Sequence, residues 1–210
     1  APSAELGGDS LDYFPLDEDH LAVYMLDVTG HGLASALLGV TVSNLLRARA
    51  LPGADFGKPA QVLAALNRSF QMENHGERFF TIWYGVIEHS TRKLVWSGGG
   101  HPPTLLFPGS QPPIVPLDSQ NPGIGMFPLD EFEQQETVIP ANSRLFIYSD
   151  GAFEIHKQDG EEWTFDEFVE FLSQPEIPGQ HIMDRLLRHC RTLKGADILD
   201  DDFSILELIM

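Results

Sequence analysis

The sequence predicts an α+β fold. Strand-like runs follow one another through tight turns in the middle of the chain. Helical periodicity is grouped in two separate pairs, one early and one late. Strands and helices do not alternate as they would in a parallel βαβ sheet. The chain has 210 residues and 42% hydrophobic content, enough to bury one sizeable core, so a single large domain is expected.

The elements are read in order. Residues 21–26 form a short apolar run that suits a buried strand. Gly30 and Gly32 mark a tight turn. Residues 33–50 read as a helix, with Leu38, Val42 and Leu45 on one face. Prolines 52 and 59 break it, and Pro59 suits the first turn of a second helix over residues 60–73. Residues 79–87 are aromatic and β-branched, residues 89–93 suit a hairpin turn, and residues 93–97 return as a strand. Residues 104–107, 135–139 and 144–149 are further strands. Phe165, Phe168, Val169 and Leu172 have helical spacing, as do Met183, Leu186, Leu187 and Cys190. Residues 203–209 close the chain as a strand.

Composition narrows the function. Thirteen basic against 31 acidic residues give a net charge of −18. That balance argues against nucleic acid or an anionic membrane as a partner, and it suits a site that collects cations. Cys190 is the only cysteine, so no intrachain disulfide and no paired-cysteine zinc site can form, and a cytoplasmic setting is the default. Neither uncharged stretch, 28–46 or 94–117, reads as a membrane-spanning helix, because polar residues, glycines and prolines interrupt them.

Acidic residues recur where an apolar run meets a turn. Asp9 follows Gly7-Gly8, and Asp27 ends one strand ahead of Gly30-His31-Gly32. Asp150 ends another strand ahead of Gly151, and Asp200, Asp201 and Asp202 precede the last strand. Strand ends are rigid mounts for ligands, and a following glycine leaves room for an ion or a phosphate. Converging carboxylates cannot all stay ionised without a counter-charge. Oxygen-only ligands favour Mg²⁺ or Mn²⁺, and two such ions can activate a bridging water to attack phosphorus.

Each residue also has a plainer reading. Asp9 and Asp27 suit turn or cap positions, and the 200–202 run suits a solvated surface. Asp12 either orients the site from behind or faces solvent. His31 either donates a proton or contacts phosphate, or else it bonds only to backbone. His101, in Gly98-Gly99-Gly100-His101-Pro102-Pro103, reads as structural. Phosphate-loop, dinucleotide and nucleophile-elbow motifs are absent. A cysteine-nucleophile phosphatase would want Arg six residues after Cys190, where Ala196 stands, so Cys190 reads as core.

The ordered set of motifs resembles the SpoIIE/RsbU-type branch of the metal-dependent serine/threonine protein phosphatases. The resemblance runs through Gly7-Gly8-Asp9-Ser10-Leu11-Asp12 and Asp27-Val28-Thr29-Gly30-His31-Gly32. It continues through Phe79-Phe80-Thr81, the Gly98–Pro103 segment, Pro122-Gly123-Ile124-Gly125, Tyr148-Ser149-Asp150-Gly151 and Asp201-Asp202-Phe203-Ser204. It implies a four-layer α/β/β/α sandwich, with two central, mainly antiparallel sheets flanked by helices.

The resemblance also implies hydrolysis of phosphoserine or phosphothreonine on a signalling protein, such as an anti-sigma-factor antagonist, with two divalent cations, Mn²⁺ or Mg²⁺. By motif match Asp9, Asp27, the Val28 carbonyl, Asp150 and Asp201 are the metal ligands. Asp12, Gly151 and Asp202 support them, and His31 is the candidate proton donor. All four matched aspartates are present, so an active enzyme is expected rather than a phosphatase-like module that recruits a partner without turnover. Only residues 1–6 precede the Gly-Gly-Asp motif, where relatives have a strand of several residues. The chain therefore reads as one phosphatase domain, 1–210, excised from a longer protein. An upstream receiver or sensor domain, as in RssB-like response regulators, or a second copy in a homodimer would regulate it.

Overall fold

The computed structural model describes residues 7–109, 114–175 and 177–210. The expectation of a truncated strand within residues 1–6 lies outside them. The elements run β1 (Ser10–Pro15), β2 (His20–Val28), α1 (Leu33–Arg47), α2 (Pro59–Ser69), β3 (Phe80–Glu88) and β4 (Lys93–Gly99). They continue with β5 (Thr104–Phe107), β6 (Val115–Leu117), β7 (Gln135–Val138), β8 (Arg144–Tyr148), β9 (Ile155–His156) and β10 (Glu162–Trp163). The chain closes with α3 (Phe165–Leu172), α4 (Ile182–Lys194) and β11 (Ile205–Ile209).

Two antiparallel sheets form the centre. The first has the order β1-β2-β3-β4-β7 and the second β11-β8-β5-β6, while β9 and β10 make a small separate ribbon. Alternation decides which side chains face inward. Val23, Met25, Trp83, Ile87 and Leu94 of the first sheet meet Leu106, Leu117, Leu145 and Ile147 of the second in a dry inter-sheet core. The other face of the first sheet, through Tyr24, Leu26, Ile82 and Tyr84, packs under α1 and α2. The other face of the second, through Phe146 and Tyr148, packs under α3 and α4. The result is the expected four-layer α/β/β/α sandwich.

The helices follow from local chemistry. α1 buries Ser35, Leu38, Gly39, Val42 and Leu46, one stripe at helical spacing. Pro59 opens α2 at its first turn, as expected, because its missing N–H costs nothing there. Thr164 and Glu167 close a reciprocal capping box on α3. Gly195 ends α4 in the left-handed conformation at φ 74°. Among the described residues, no helix is long and apolar enough to cross a membrane.

Several elements differ from the sequence reading, among them the two-residue strands β9 and β10, which are too short to leave a periodic signal. The 33–50 helix stops at Arg47, and the 60–73 helix ends at Ser69 ahead of a short 3₁₀ turn, Met72–Asn74. Strands β1 and β6 lie where no strand was expected. β1 is an edge strand with only Phe14 fully buried, so its sequence carries little apolar alternation. β6 is three residues long and contains Pro116, which an edge strand tolerates.

Candidate metal centre

The acidic residues singled out in the sequence meet at one end of the sandwich. Asp9 lies just before β1, and Asp27 is the penultimate residue of β2, both in the first sheet. Asp150 opens a 3₁₀ turn directly after β8, and Asp201 and Asp202 lead into β11, both in the second sheet. The site is therefore assembled across the two sheets, and neither could form it alone.

Close backbone approach makes this convergence possible. A Cβ on Gly8 would sit 2.6 Å from the Val28 carbonyl oxygen, and one on Gly39 of α1 would sit 2.9 Å from the Gly8 oxygen. The chain entering Asp9 is thus threaded between β2 and α1 through glycine-only gaps, and the Val28 carbonyl faces it. A Cβ on Gly7 would overlap the Asp202 carboxylate, and one on Gly151 would overlap the Asp202 carbonyl. The Ser149 hydroxyl donates to the Asp202 carbonyl at 3.2 Å, and the Ser149 N–H donates to the Ser204 carbonyl at 3.0 Å. These bonds pin the end of β8 to the start of β11.

The electrostatics are strained in one direction. Burial pushes the Asp27 carboxyl well above the usual carboxylate range, and the charges of Asp9, Asp150 and Asp201 push it further. Burial also raises Asp9, with Asp202 and Asp150 adding to it, while hydrogen bonds from Ser149 and Ser204 hold it back. Asp150 is raised by burial and by Asp201, against the Gly151 N–H that donates to its Oδ1 at 2.7 Å. The charge of Asp201 thus bears on Asp27 and Asp150, and that of Asp202 on Asp9.

This donor set fits a hard divalent cation. Asp9 Oδ2 is buried without a hydrogen-bond partner, and the charges of Asp9, Asp150 and Asp201 all disfavour that of Asp27. As the side chains stand, however, no group of three or more His, Cys, Asp or Glu among the described residues is arranged to hold an ion.

The remaining candidates fall elsewhere. Asp12 lies on β1 against α1, where Arg47 donates to its Oδ2 through Nε at 2.8 Å, so it braces the helix rather than the cluster. His31 is exposed between Gly30 (φ 79°) and Gly32 (φ 90°), ahead of α1. A cavity of about 430 Å³ opens beside the carboxylates and is lined by Asp27, Thr81, Ser149 and Asp150. Its histidine is His101, not His31. His101 is 7% exposed, its Nδ1 lies 2.9 Å from the Pro102 carbonyl, and its Nε2 is buried without a partner. Burial pushes its pKa down to about 4, so the ring is neutral. The sequence reads His101 as structural, and its buried, neutral ring bonded to Pro102 agrees with that while also lining the cavity. Its place between a triple glycine and two prolines was the signal that this backbone passes close to something.

Three comparisons bear on this architecture. The sequence profile of the SpoIIE family (Stage II sporulation protein E) matches residues 17–209. The curated protein named phosphoserine phosphatase RsbP, from Bacillus subtilis strain 168, is 28% identical over 204 residues, which is 95% of this chain and 48% of that protein. The chain thus spans about half the length of that relative. Among solved structures, the SiaA-PP2C domain of Pseudomonas aeruginosa superposes with a TM-score of 0.83 at 16% identity, covering 98% of this chain and 81% of that one. The PP2C phosphatase domain of SpoIIE from Bacillus subtilis, solved with a regulatory fragment, superposes with a TM-score of 0.79 at 16% identity, covering 100% and 62%. At such identities the structural likenesses speak for the fold.

Proposed function

The chain belongs to the SpoIIE family, and on that premise we propose that it is a metal-dependent protein phosphatase acting on phosphoserine or phosphothreonine. The observation that carries the reading is the convergence of Asp9, Asp27, Asp150 and Asp201 from both sheets beside one cavity. The name of the relative RsbP, a phosphoserine phosphatase, agrees with it. The substrate is a phosphorylated signalling protein, an anti-sigma-factor antagonist by family resemblance. An upstream receiver or sensor domain, or a second copy of the chain, supplies regulation, and the setting is cytoplasmic.

In this reading Asp9, Asp27, the Val28 carbonyl, Asp150 and Asp201 hold two divalent cations, Mn²⁺ or Mg²⁺. Such ions, when bound, acidify a shared water and neutralise charge on a phosphoryl group. The chain's own work is positioning. Ser149 and Ser204 counter part of the burial penalty on the Asp9 carboxyl, and the Gly151 N–H orients Asp150. Asp202 packs on Gly7 and keeps the entry to Asp9 in place. The neutral His101 adds no charge to the cavity wall. His31 lies outside the cavity lining and stays a candidate proton donor only for a substrate that reaches across the α1 turn.

One observation favours a second reading, a phosphatase-like module that recruits a partner without turnover: the carboxylates do not stand as a ready-made ligand set. Hydrolysis of a phosphoserine peptide with and without Mn²⁺ separates the two. Metal-dependent turnover, reduced at least 100-fold in Asp27→Asn and Asp150→Asn, is the expected result. Manganese binding with no turnover of any phosphoserine or phosphothreonine substrate would favour the recruiting module.

A further inference from the structure

The cavity beside the carboxylates has two chemical characters. Asp27 and Asp150 line its acidic part, and the exposed Glu154 stands beside them. Pro102, Pro103, Phe153 and Phe165 line the rest, and all four are half-buried, with apolar surface still open to the cavity.

This apolar wall is held rigidly. The Phe153 and Phe165 rings meet edge to face at 5.4 Å. Both pack against Tyr148, at 6.0 and 6.5 Å, and Tyr148 is only 1% exposed. The Tyr148 hydroxyl donates to the Pro103 carbonyl at 2.5 Å, which ties the proline segment to the aromatic cluster. His101 behind the prolines is neutral and bonded to Pro102, so the wall stays uncharged at neutral pH. Preformed apolar surface next to a few converging polar groups is the usual make-up of a ligand pocket.

We propose that this wall is a specificity subsite that takes an apolar side chain lying within two positions of the phosphorylated serine or threonine in the substrate protein. The inference rests on the phosphatase reading and adds a sequence preference to it. A phosphoserine side chain directed at Asp27 and Asp150 leaves much of a cavity of about 430 Å³ unfilled. In an extended peptide, residues two apart point to the same side, so the residue two positions from the phosphorylated one reaches the same cavity. The occupant is apolar because the wall offers rings and prolines. An acidic neighbour is disfavoured by Glu154 and by the chain's net charge of −18.

The test uses phosphoserine peptides that differ only in carrying Leu, Ala or Glu at the positions two before and two after the phosphoserine. Hydrolysis is measured on the Mn²⁺-loaded protein. Binding of the matching non-hydrolysable phosphonate peptides is measured by fluorescence anisotropy. The expected result is a kcat/KM about ten-fold higher for Leu than for Ala, expressed in KM, with the same order in phosphonate affinity and Glu lowest. In Phe165→Ala the Leu-to-Ala ratio falls towards one. In Phe165→Leu, which keeps an apolar wall and guards against a folding defect, most of the ratio remains. Turnover with equal kcat/KM and equal affinity for Leu and Ala peptides overturns the subsite and leaves the phosphatase reading standing. A preference that persists unchanged in Phe165→Ala overturns its assignment to this wall. Neither turnover nor phosphonate binding with any peptide overturns both.

Discussion

Asp27 shows what a buried acidic cluster costs its own fold. Its carboxyl is raised above the unfolded value, mainly by burial and then by Asp9, Asp150 and Asp201. The folded state therefore holds a proton that the unfolded state releases, and metal-free stability falls as pH rises above the ordinary carboxylate range. Asp27→Asn removes that penalty, so the metal-free variant should melt above the wild type at pH 8, by roughly 2–4 °C for each kcal/mol relieved. The gap should close as pH is lowered towards 4, and thermal melts across pH check this. His101 works with the opposite sign. Its folded pKa, about 4, lies below the unfolded value near 6.5, so the unfolded state binds the extra proton between those limits. Stability should be intact above pH 6.5 and lost as pH falls towards 4, by about 3 kcal/mol at most. His101→Gln should lack that acid-side loss in urea titrations at pH 7 and pH 4.5.

At the scale of elements, glycine gaps decide whether Asp9 reaches the site. Gly39 lies in the buried stripe of α1, and a Cβ there would come within 2.9 Å of the Gly8 oxygen. Gly39→Ala should cost about 1–3 kcal/mol by overpacking and should weaken Mn²⁺ binding as well, because the displaced segment carries Asp9. Urea denaturation and a manganese titration of the same variant measure the two effects. A loss of stability with manganese affinity intact would show that the gap supports only the helix. The buried strands were legible because aromatic and branched residues fill them: 79–87 was read and β3 runs Phe80–Glu88. β1 was not legible, since residues 10–15 put alternate positions in solvent and bury only Phe14. The Asn67 side chain was equally silent. It ties α2 to the 123–129 loop through Gly125 N–H at 2.8 Å and the Phe127 and Leu129 carbonyls at 2.9 Å, contacts that only the tertiary fold creates.

Across the whole molecule, the two sheets share an apolar core and an acidic end. The core, around Trp83, Met25 and Leu145, holds the sheets face to face, while the acidic end sets Asp27 against Asp150 and Asp201. The strand-end aspartates were visible in the sequence because each sits where an apolar run meets a turn. Which of them meet was not visible, because Asp9 and Asp150 lie far apart in the chain and only the stacking of the sheets joins them. For the same reason Asp12 misled: three residues from Asp9, it lies on β1 and faces Arg47. A cation held by carboxylates of both sheets would bind only the folded chain, so Mn²⁺ at 100 times its Kd should stabilise the fold by about 2.7 kcal/mol for each site filled. At a fixed Mn²⁺ concentration the stabilisation should be larger at pH 8 than at pH 6, because protons compete for the same carboxylates.

The most direct measurement is a calorimetric Mn²⁺ titration of the wild type beside one variant from each sheet, Asp27→Asn and Asp150→Asn. If the carboxylates of both sheets form one metal centre, the wild type binds two ions, and each substitution lowers affinity at least ten-fold. Binding with the same stoichiometry and affinity in all three proteins would contradict it and place the metal, if any, elsewhere on this acidic chain.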